Sequence, residues 1–224
     1  MTPRLVIFDV DGTLVDSQGD IVASMHHAFG EVCAPAPARA AIVGIIGLSL
    51  NVAMARLAPD LDARSHDALV EAYKRSYMSL RAQAGAAQSS PLFPGTRAML
   101  DALGARDDLL LGVATGKSRR GLDKLIDGHG LHGLFVTQQV ADHHPSKPHP
   151  AMLHAALDET GVDARDAVMI GDTTFDMDMA RAAGIRAVGV SWGYHPAADL
   201  QCDHLLTSWA DLPACLSRLW EVSA

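Results

Sequence analysis

The sequence predicts an α/β fold: a doubly wound parallel sheet into which an all-helical unit is inserted. Strand and helix patterns alternate beyond Thr96, and such alternation is typical of a parallel sheet with helices on both faces. An apolar run at residues 5–8 predicts one more buried strand at the start. Between these two regions, apolar residues recur at helical spacing without a convincing strand. The helices are therefore expected as an insertion after the first strand.

The predicted core elements follow one another in a regular order. The first strand must join the others in one sheet, because a lone strand cannot bury its own faces. Later strands are expected at residues 109–114, 134–137, 167–170 and 185–190 and near Leu205. Helices are expected from near Pro94 and at residues 118–128, 149–160, 174–183 and 209–220.

Residues 16–90 make up the predicted helical unit. Its longest uncharged stretch, residues 40–55, is interrupted by glycines and is short for a membrane span, so it is interpreted as a buried helix–turn segment. The Ala-, Ser- and Gly-rich residues 83–90 predict a flexible hinge that leads back to the core. The α/β core is accordingly assigned to residues 1–15 and 91–224.

Composition and charge indicate a soluble globular protein of 224 residues, 49% of them hydrophobic and 20% charged. The net charge of −8 argues against a nucleic-acid-binding protein, which needs a basic surface. Asp9 and Asp11 stand where a secretory signal needs its apolar stretch. Three cysteines lack metal-ligand spacing and are typical of a reducing compartment: Cys33, Cys202 and Cys215. We therefore predict a cytoplasmic protein whose partners include neither nucleic acid nor membrane.

Two aspartates, Asp9 and Asp11, follow the first strand directly. Residues two apart at a strand end start on the same side of the sheet. Two carboxylates so close together are unfavourable as anions unless a cation lies nearby, and a divalent metal ion meets this need. Gly12 permits a tight turn and Thr13 can fix the loop by hydrogen bonds. The alternative is an ordinary acidic turn.

Anion-binding groups are predicted after two further core segments. Thr115 and Gly116 follow the second strand, where a hydroxyl and a backbone amide at a helix start can bind an anion. Ser118 is expected to cap that helix. Lys147 lies between prolines that limit its backbone, which holds one ammonium group in a defined place. The alternative for this residue is a lysine that faces solvent.

Asp172 and Asp176 follow the strand at residues 167–170. Asp172, at the strand end, can complete a metal site of hard oxygen ligands with Asp9. Asp176 begins the next helix, where it can cap the helix, bond Lys147 or bind a metal-bound water. Asp178 is interpreted as plain helix surface.

Taken together and in this order, the motifs resemble those of the haloacid dehalogenase-like hydrolase superfamily: Asp-x-Asp-Gly-Thr, Thr, Lys and Gly-Asp-x-x-x-Asp. The resemblance covers almost the whole chain and includes residues 93–95 and 146–148. It implies a Rossmann-like core, and it implies that the helical insertion is a mobile cap. Within the superfamily the chain is most similar to the phosphoglycolate phosphatase-like branch.

The resemblance implies a magnesium-dependent phosphatase that hydrolyses a small phosphomonoester through an aspartyl-phosphate. Asp9 is then the nucleophile, and Asp11 is the acid that protonates the leaving group and the base that deprotonates water. Mg²⁺ is expected on the Asp9 carboxylate, the Asp11 backbone carbonyl and Asp172. The phosphate ligands implied are Thr115, the Gly116 amide and Lys147, with Asp176, Gly12 and Thr13 in support.

Other functions are alternative hypotheses for this set of motifs. A phosphomutase similar to β-phosphoglucomutase shares this core but often has an apolar residue where Thr13 stands. A haloacid dehalogenase lacks the second aspartate, which Asp11 supplies. A phosphoryl-signalling receiver domain is shorter and has no helical insertion. The histidines near Lys147 do not have the spacing of a helical zinc pair, and substrate contact or surface exposure is expected for them.

Substrate specificity is expected to reside in the cap and its loops, around residues 44–49. Phosphoglycolate phosphatases often carry Asn after the second-motif Thr, where this chain has Gly116, so the sequence does not decide whether phosphoglycolate is accepted. The basic residues after it are interpreted as a solvated helix face, with contact to an anionic substrate as the alternative: Lys117, Arg119 and Arg120. The sequence also leaves open whether the protein is a monomer or a homodimer.

Overall fold

The computed structural model describes residues 3–221 and contains one six-stranded sheet in which all strands are parallel. The strand order is β3-β2-β1-β4-β5-β6, the order of a doubly wound nucleotide-binding fold. The strands are β1 (Arg4–Phe8), β2 (Leu109–Thr115), β3 (Thr137–Val140), β4 (Ala167–Gly171), β5 (Arg186–Val190) and β6 (His204–Leu206).

Helices surround this sheet and also form the segment between β1 and β2. The α-helices are α1 (Gln18–Glu31), α2 (Arg39–Val43), α3 (Leu50–Leu57), α4 (Ala63–Ala84), α5 (Ala86–Ser89), α6 (Thr96–Gly104), α7 (Arg119–His129), α8 (Ala151–Thr160), α9 (Thr174–Ala182) and α10 (Leu212–Glu221). Short 3-10 turns occur at Ala164–Asp166, Ala197–Asp199 and Trp209–Asp211. Within the described part of the chain, none of these helices has the length and apolarity to cross a membrane.

Both faces of the sheet are covered, as side-chain alternation along β1 illustrates. Val6 and Phe8 point into a hydrophobic cluster formed with α6, α7 and α10. Leu5 and Ile7 point the other way, into a cluster formed with α8 and α9. Successive side chains on a strand face opposite sides, so a strand with helices on both sides is apolar on both faces, as β1 is from Leu5 to Phe8. The α/β fold class predicted from the sequence is confirmed.

Helices α1–α5, called the helical unit below, have a hydrophobic cluster largely of their own. Met25 and Phe29 of α1 pack there with Leu69 of α4, and the loop before α3 adds Ile46. Tyr194, from the far end of the core, packs against the same cluster. The helical unit therefore buries its own apolar stripe while it contacts the sheet domain.

Two sequence expectations about element positions are wrong. The strand expected at residues 134–137 lies at Thr137–Val140 instead. The apolar Phe135 lies before the strand and packs into the hydrophobic cluster formed with α6, α7 and α10. Gln139 is buried within the strand, where its amide donates hydrogen bonds to Thr137 and to Glu159 of α8. The flexible hinge expected at residues 83–90 is instead largely helical, since α4 runs to Ala84 and α5 follows.

The register of the central strands places their ends at one edge of the sheet. Phe8 lies opposite Val113 of β2 and Ile170 of β4. From β1 the strand order proceeds outward in both directions, so this edge is the switch point at which parallel α/β sheets bind ligands. The residues that follow β1, β2 and β4 therefore share one site.

Candidate active site

Three buried carboxylates meet at the switch point. Asp9 follows β1, Asp172 follows β4 and Asp176 lies in the first turn of α9. Each offers a carboxylate oxygen, and these oxygens lie within 4.8 Å of one another. Within residues 3–221, this is the one group of at least three His, Cys, Asp or Glu side chains close enough to share a metal ion.

Asp9 has an exceptional environment for a carboxylate. It is 1% exposed, and neither of its oxygens accepts a hydrogen bond of good geometry. Its contact with Lys147 Nζ, 2.7 Å from Oδ1, is an ion pair rather than a directed hydrogen bond. Burial raises the pKa of Asp9 to about 7, although the Lys147 charge opposes this shift. Its lone pairs are therefore available to a metal ion or to an electrophile.

Lys147 is the cation of this cluster. Its Nζ lies 2.7 Å from Asp9 Oδ1 and 2.7 Å from Asp176 Oδ1. Burial alone disfavours the ammonium, but the two carboxylates outweigh it and the pKa of Lys147 is raised. The side chain is fully buried, so the solvent-facing alternative for this lysine is wrong.

Asp176 has two of the three roles considered for it, since it caps α9 and bonds Lys147. Its Oδ2 accepts hydrogen bonds from Thr173 N at 3.0 Å and Thr173 Oγ1 at 2.7 Å, which closes a capping box on α9. Its Oδ1 accepts from Lys147. Asp178, on the same helix, is about half exposed and pairs with Arg181, as expected for helix surface.

Asp172 is held on both sides. Thr13 Oγ1 donates to its Oδ1 at 2.8 Å, and the Tyr194 amide donates to its Oδ2 at 2.8 Å. Burial, with repulsion from Asp9 and Asp176, raises the pKa of Asp172 well above its ordinary value. A Cβ on Gly12 would lie 2.1 Å from Asp172 Oδ2, and Gly12 has φ +86°. The glycine thus allows both the turn and the close approach of the carboxylate.

The chemistry of these donors fits a hard divalent cation. Three buried carboxylates face a single buried ammonium, which leaves an excess of negative charge in a site of low dielectric. Oxygen ligands of this kind are those that Mg²⁺ prefers. Asp9 and Asp172, predicted as metal ligands, are brought together, and Asp176 joins them.

The Asp11 carboxylate does not join the cluster of Asp9, Asp172 and Asp176. Its Oδ1 lies 2.7 Å from Lys117 Nζ and accepts a hydrogen bond from Ser17 Oγ. The Lys117 side chain is 8% exposed, so its interpretation as part of a solvated helix face is wrong. Burial disfavours this ammonium, yet Asp11 and Tyr77 outweigh that effect and raise the pKa of Lys117.

Thr115 and Gly116 lie between the sheet and the helical unit. The Thr115 hydroxyl is buried and accepts a hydrogen bond from the Lys117 amide at 3.2 Å. A Cβ on Gly116 would lie 2.6 Å from the Gly47 carbonyl oxygen and 2.7 Å from that of Leu48. The loop of the helical unit therefore passes directly over Gly116. Ser118 Oγ accepts from the Gly121 amide and caps α7, as predicted.

A cavity of about 1120 Å³ lies between the helical unit and the core. Asp11, Gly116 and Lys117 line its core side, and Tyr77 and Arg81 of α4 line the opposite side. The three clustered carboxylates do not line it, because they are buried beneath it. Asp11 lines the cavity and lies two residues after Asp9, so it links the cavity to the cluster below.

The loop at residues 192–195 was not predicted to take part in the site. Trp192 Nε1 donates to the Thr13 carbonyl at 3.2 Å, and the Tyr194 hydroxyl accepts from the Ser17 amide at 2.9 Å. A ring nitrogen of His195 lies 3.3 Å from the Gly44 carbonyl of the helical unit. The sequence offers one signal for this loop, the aromatic residues Trp192, Tyr194 and His195 shortly after β5.

This fold and this site define a hydrolase, and the chain belongs to the haloacid dehalogenase-like hydrolase family. The sequence model of that family matches residues 6–190. Within the family the chain falls in the phosphoglycolate phosphatase-like branch and is a phosphatase. The resemblance predicted from the motifs is confirmed.

Individual relatives are similar over nearly their whole length. The chain is 38% identical over 200 residues to a probable phosphatase, IndB, of Dickeya dadantii, covering 88% of this chain and 85% of that protein. It is 33% identical to a phosphoglycolate phosphatase of Rhodospirillum rubrum, with 94% and 89% covered. A crystal structure of a putative phosphoglycolate phosphatase from Lactobacillus plantarum superposes with a TM-score of 0.82 at 26% identity, covering 96% and 99%.

Proposed function

We propose that this phosphatase is magnesium-dependent and hydrolyses a small phosphomonoester, in the manner of phosphoglycolate phosphatases, through an aspartyl-phosphate intermediate. The observation that carries the proposal is the state of Asp9. Its buried carboxylate has no hydrogen-bond donor of good geometry, and a lysine ammonium lies 2.7 Å away. An unsolvated carboxylate beside a cation is suited to attack an anionic phosphoryl group, because the cation offsets the repulsion.

In the first step an Asp9 oxygen attacks the phosphorus, and the bond from phosphorus to the ester oxygen breaks. Asp11 gives its proton to the leaving oxygen. The position of Asp11 supports this role, since it lines the cavity whereas Asp9 lies beneath it. The leaving group then departs on the cavity side.

In the second step a water molecule attacks the phosphorus of the aspartyl-phosphate. Asp11, now a carboxylate, takes a proton from that water, and the bond from phosphorus to the Asp9 oxygen breaks. Inorganic phosphate is released and Asp9 returns to its starting form. Asp11 is thus acid in one step and base in the next.

The phosphate oxygens are assigned to Thr115, the Gly116 amide and Lys147. Lys147 also balances the charge of the nucleophile, and Asp176 orients Lys147 through the contact of 2.7 Å. Gly12 provides the turn after Asp9. Thr13 orients Asp172 through the hydrogen bond of 2.8 Å.

Magnesium is assigned to the Asp9 carboxylate, Asp172 and the Asp11 backbone carbonyl. When bound there, it neutralises negative charge on the phosphoryl group and on the carboxylates. The close approach of the carboxylate oxygens of Asp9, Asp172 and Asp176 supports this assignment. Asp176 has its oxygens engaged by Lys147 and Thr173, so it is assigned to the outer part of the site.

Residues 16–90 are proposed to act as a cap over a catalytic core of residues 1–15 and 91–224. The contact of the Gly47 and Leu48 carbonyls with Gly116 supports a closed cap that excludes water during transfer. We place the protein in the cytoplasm, as a monomer or homodimer, with a small phosphorylated metabolite as its substrate.

The test is phosphate release from a panel of phosphomonoesters, with magnesium and with EDTA, for wild type and Asp9→Asn. Wild type is expected to release phosphate only with magnesium, and Asp9→Asn is expected to be folded but inactive. Substantial activity of Asp9→Asn would refute the nucleophile assignment. Formation of an isomeric phosphate without phosphate release would instead indicate a phosphomutase.

A further inference from the structure

Tyr194, in the loop after β5, bonds two separate parts of the proposed reaction centre. Its amide donates to Oδ2 of Asp172, the carboxylate assigned to magnesium, at 2.8 Å. Its hydroxyl accepts from the Ser17 amide at 2.9 Å and donates to Asp16 Oδ1 at 3.1 Å. Its ring packs against the hydrophobic cluster of the helical unit. One residue therefore connects the metal side of the site with the junction between core and helical unit.

Ser17 has an uncommon role for a serine at a helix start. It is the N-cap of α1, a position where a serine side chain ordinarily accepts a hydrogen bond from an amide of the first turn. Within the described part of the chain, the Ser17 side chain makes no such bond. It is fully buried, and its Oγ donates instead to Asp11 Oδ1. The Ser17 hydroxyl is thus committed to the residue assigned as acid and base.

The buried Ser17 amide also needs an acceptor, because a buried N–H without one is costly. The Tyr194 hydroxyl is that acceptor. Burial and the negative charge of Asp11 raise the pKa of Tyr194, so this hydroxyl keeps its proton and can donate to Asp16. With both bonds made, it fixes the backbone at residues 16 and 17 and with it the direction of the Ser17 side chain.

The two oxygens of Asp11 are held differently. Ser17 Oγ donates to Oδ1, and Lys117 Nζ lies 2.7 Å from the same oxygen. Among residues 3–221, no side chain bonds Asp11 Oδ2. Because Asp11 lines the cavity, Oδ2 is the oxygen that is free to give and take a proton.

Resting on the phosphatase function above, we propose that Tyr194 is a positioning residue for Asp11. Its hydroxyl fixes Ser17, and Ser17 together with Lys117 anchors Asp11 Oδ1. Asp11 Oδ2 is thereby directed at the leaving oxygen, to which it gives its proton as the ester bond to phosphorus breaks. Tyr194 acts through Ser17 and transfers no proton itself.

Tyr194→Phe tests this role, because it removes the hydroxyl and keeps the ring and the amide bond to Asp172. The variant and wild type are compared on phenyl phosphate and p-nitrophenyl phosphate with magnesium. Phenolate is the poorer leaving group and depends more on a proton from Asp11. We expect kcat/KM for phenyl phosphate to fall about fivefold or more beyond any fall for p-nitrophenyl phosphate. A purely structural defect lowers both values alike.

Ser17→Ala shows whether Tyr194 acts through Ser17. It is expected to shift the ratio of the two kcat/KM values by a similar factor. In the double variant Tyr194→Phe should add little to that shift, because both substitutions act on one chain of contacts. Trp192→Phe is the control from the same loop. It removes the bond to the Thr13 carbonyl and is expected to affect both substrates equally.

A wild-type ratio in Tyr194→Phe or in Ser17→Ala, with thermal denaturation showing a folded protein, would overturn the positioning role. So would additive effects of the two substitutions, or an equal shift of the ratio in Trp192→Phe. Asp11→Asn separates this failure from failure of the proposed function. If Asp11→Asn shifts the ratio and Tyr194→Phe does not, only the positioning role is wrong. If Asp11→Asn leaves the ratio unchanged, or no phosphomonoester is hydrolysed with magnesium, the proposed function and the positioning role fall together.

Discussion

Lys117 Nζ lies 2.7 Å from Asp11 Oδ1, and both side chains are at least nine-tenths buried. This ion pair joins the residue assigned as acid and base to the first turn beyond β2. The only other side chain that bonds the Asp11 carboxylate within residues 3–221 is Ser17. Asp11 is therefore positioned by the core loop and by the start of the helical unit at once.

Lys117→Met is expected to lower kcat/KM for p-nitrophenyl phosphate by about tenfold or more, because it leaves a buried carboxylate without its cation. Steady-state kinetics checks this. Arg97→Met is the control, since Arg97 is exposed on α6, pairs with Asp101 at 3.0 Å and does not line the cavity. Unchanged or increased turnover by Lys117→Met would show that the pair does not support catalysis.

Gly116→Ala is expected to impair cap closure. Its added Cβ would lie 2.6 Å and 2.7 Å from two backbone carbonyl oxygens of the cap loop, which cannot move as a side chain can. We expect kcat/KM to fall about tenfold or more with little change in melting temperature, because the clash is relieved when the cap opens. Gly19→Ala, where a Cβ meets nothing within 4 Å, is the control and keeps wild-type kinetics. Wild-type kinetics for Gly116→Ala would contradict a closed catalytic state like this one.

Thr13→Val is expected to weaken magnesium binding by about tenfold or more, because groups that orient a metal ligand typically contribute this much. The hydroxyl that is lost donates to Asp172 Oδ1 at 2.8 Å. The magnesium concentration that gives half-maximal activity measures the effect, and the magnesium-induced rise in melting temperature measures it without catalysis. The control is Thr207→Val, which alters an exposed threonine. Equal magnesium affinity in both variants would contradict the assignment of Asp172 as a magnesium ligand.

Without magnesium, stability is expected to fall as pH rises. Burial raises the pKa of Asp9 from 3.8 to about 7, so folded protein retains a proton that the unfolded chain has released. This contribution is fully present below an unfolded-state pKa of about 4 and is lost as pH rises through about 7. In EDTA, the melting temperature of Asp9→Asn minus that of wild type should therefore increase as pH rises from about 5 to about 8. A difference that shrinks with pH would contradict the raised pKa.

Much of the fold and of the carboxylate cluster follows from sequence because it depends on local patterns. Each strand of the sheet centre is a short apolar run, and parallel strands in register bring the residues just after them to one edge. Asp9 and Asp172 directly follow β1 and β4, and Thr115 is the last residue of β2. Once the strands are located in the sequence, the closeness of these three residues can be predicted.

The remaining features depend on how the helical unit packs on the core, which no local pattern encodes. Lys117 looks like any basic residue near a helix start, and only the helical unit packed against it makes it a buried partner of Asp11. Tyr194, in the loop after β5, accepts a hydrogen bond from the Ser17 amide although the two residues are far apart in sequence. The third strand was placed too early because its buried polar side chains bond to α8 instead of forming an apolar run.

The central claim is that Asp9 carries the phosphoryl group, and Asp11→Asn offers the most direct test. p-Nitrophenolate departs without protonation, so this variant can transfer the phosphoryl group, yet it lacks the base for the second step. The measurement is peptide mass spectrometry after an acid quench of the reaction with magnesium. We expect one phosphoryl group on the peptide that contains Asp9, and none on that peptide in Asp9→Asn/Asp11→Asn. Release of nitrophenolate with no phosphoryl group on the protein, or with one at another residue, would contradict it.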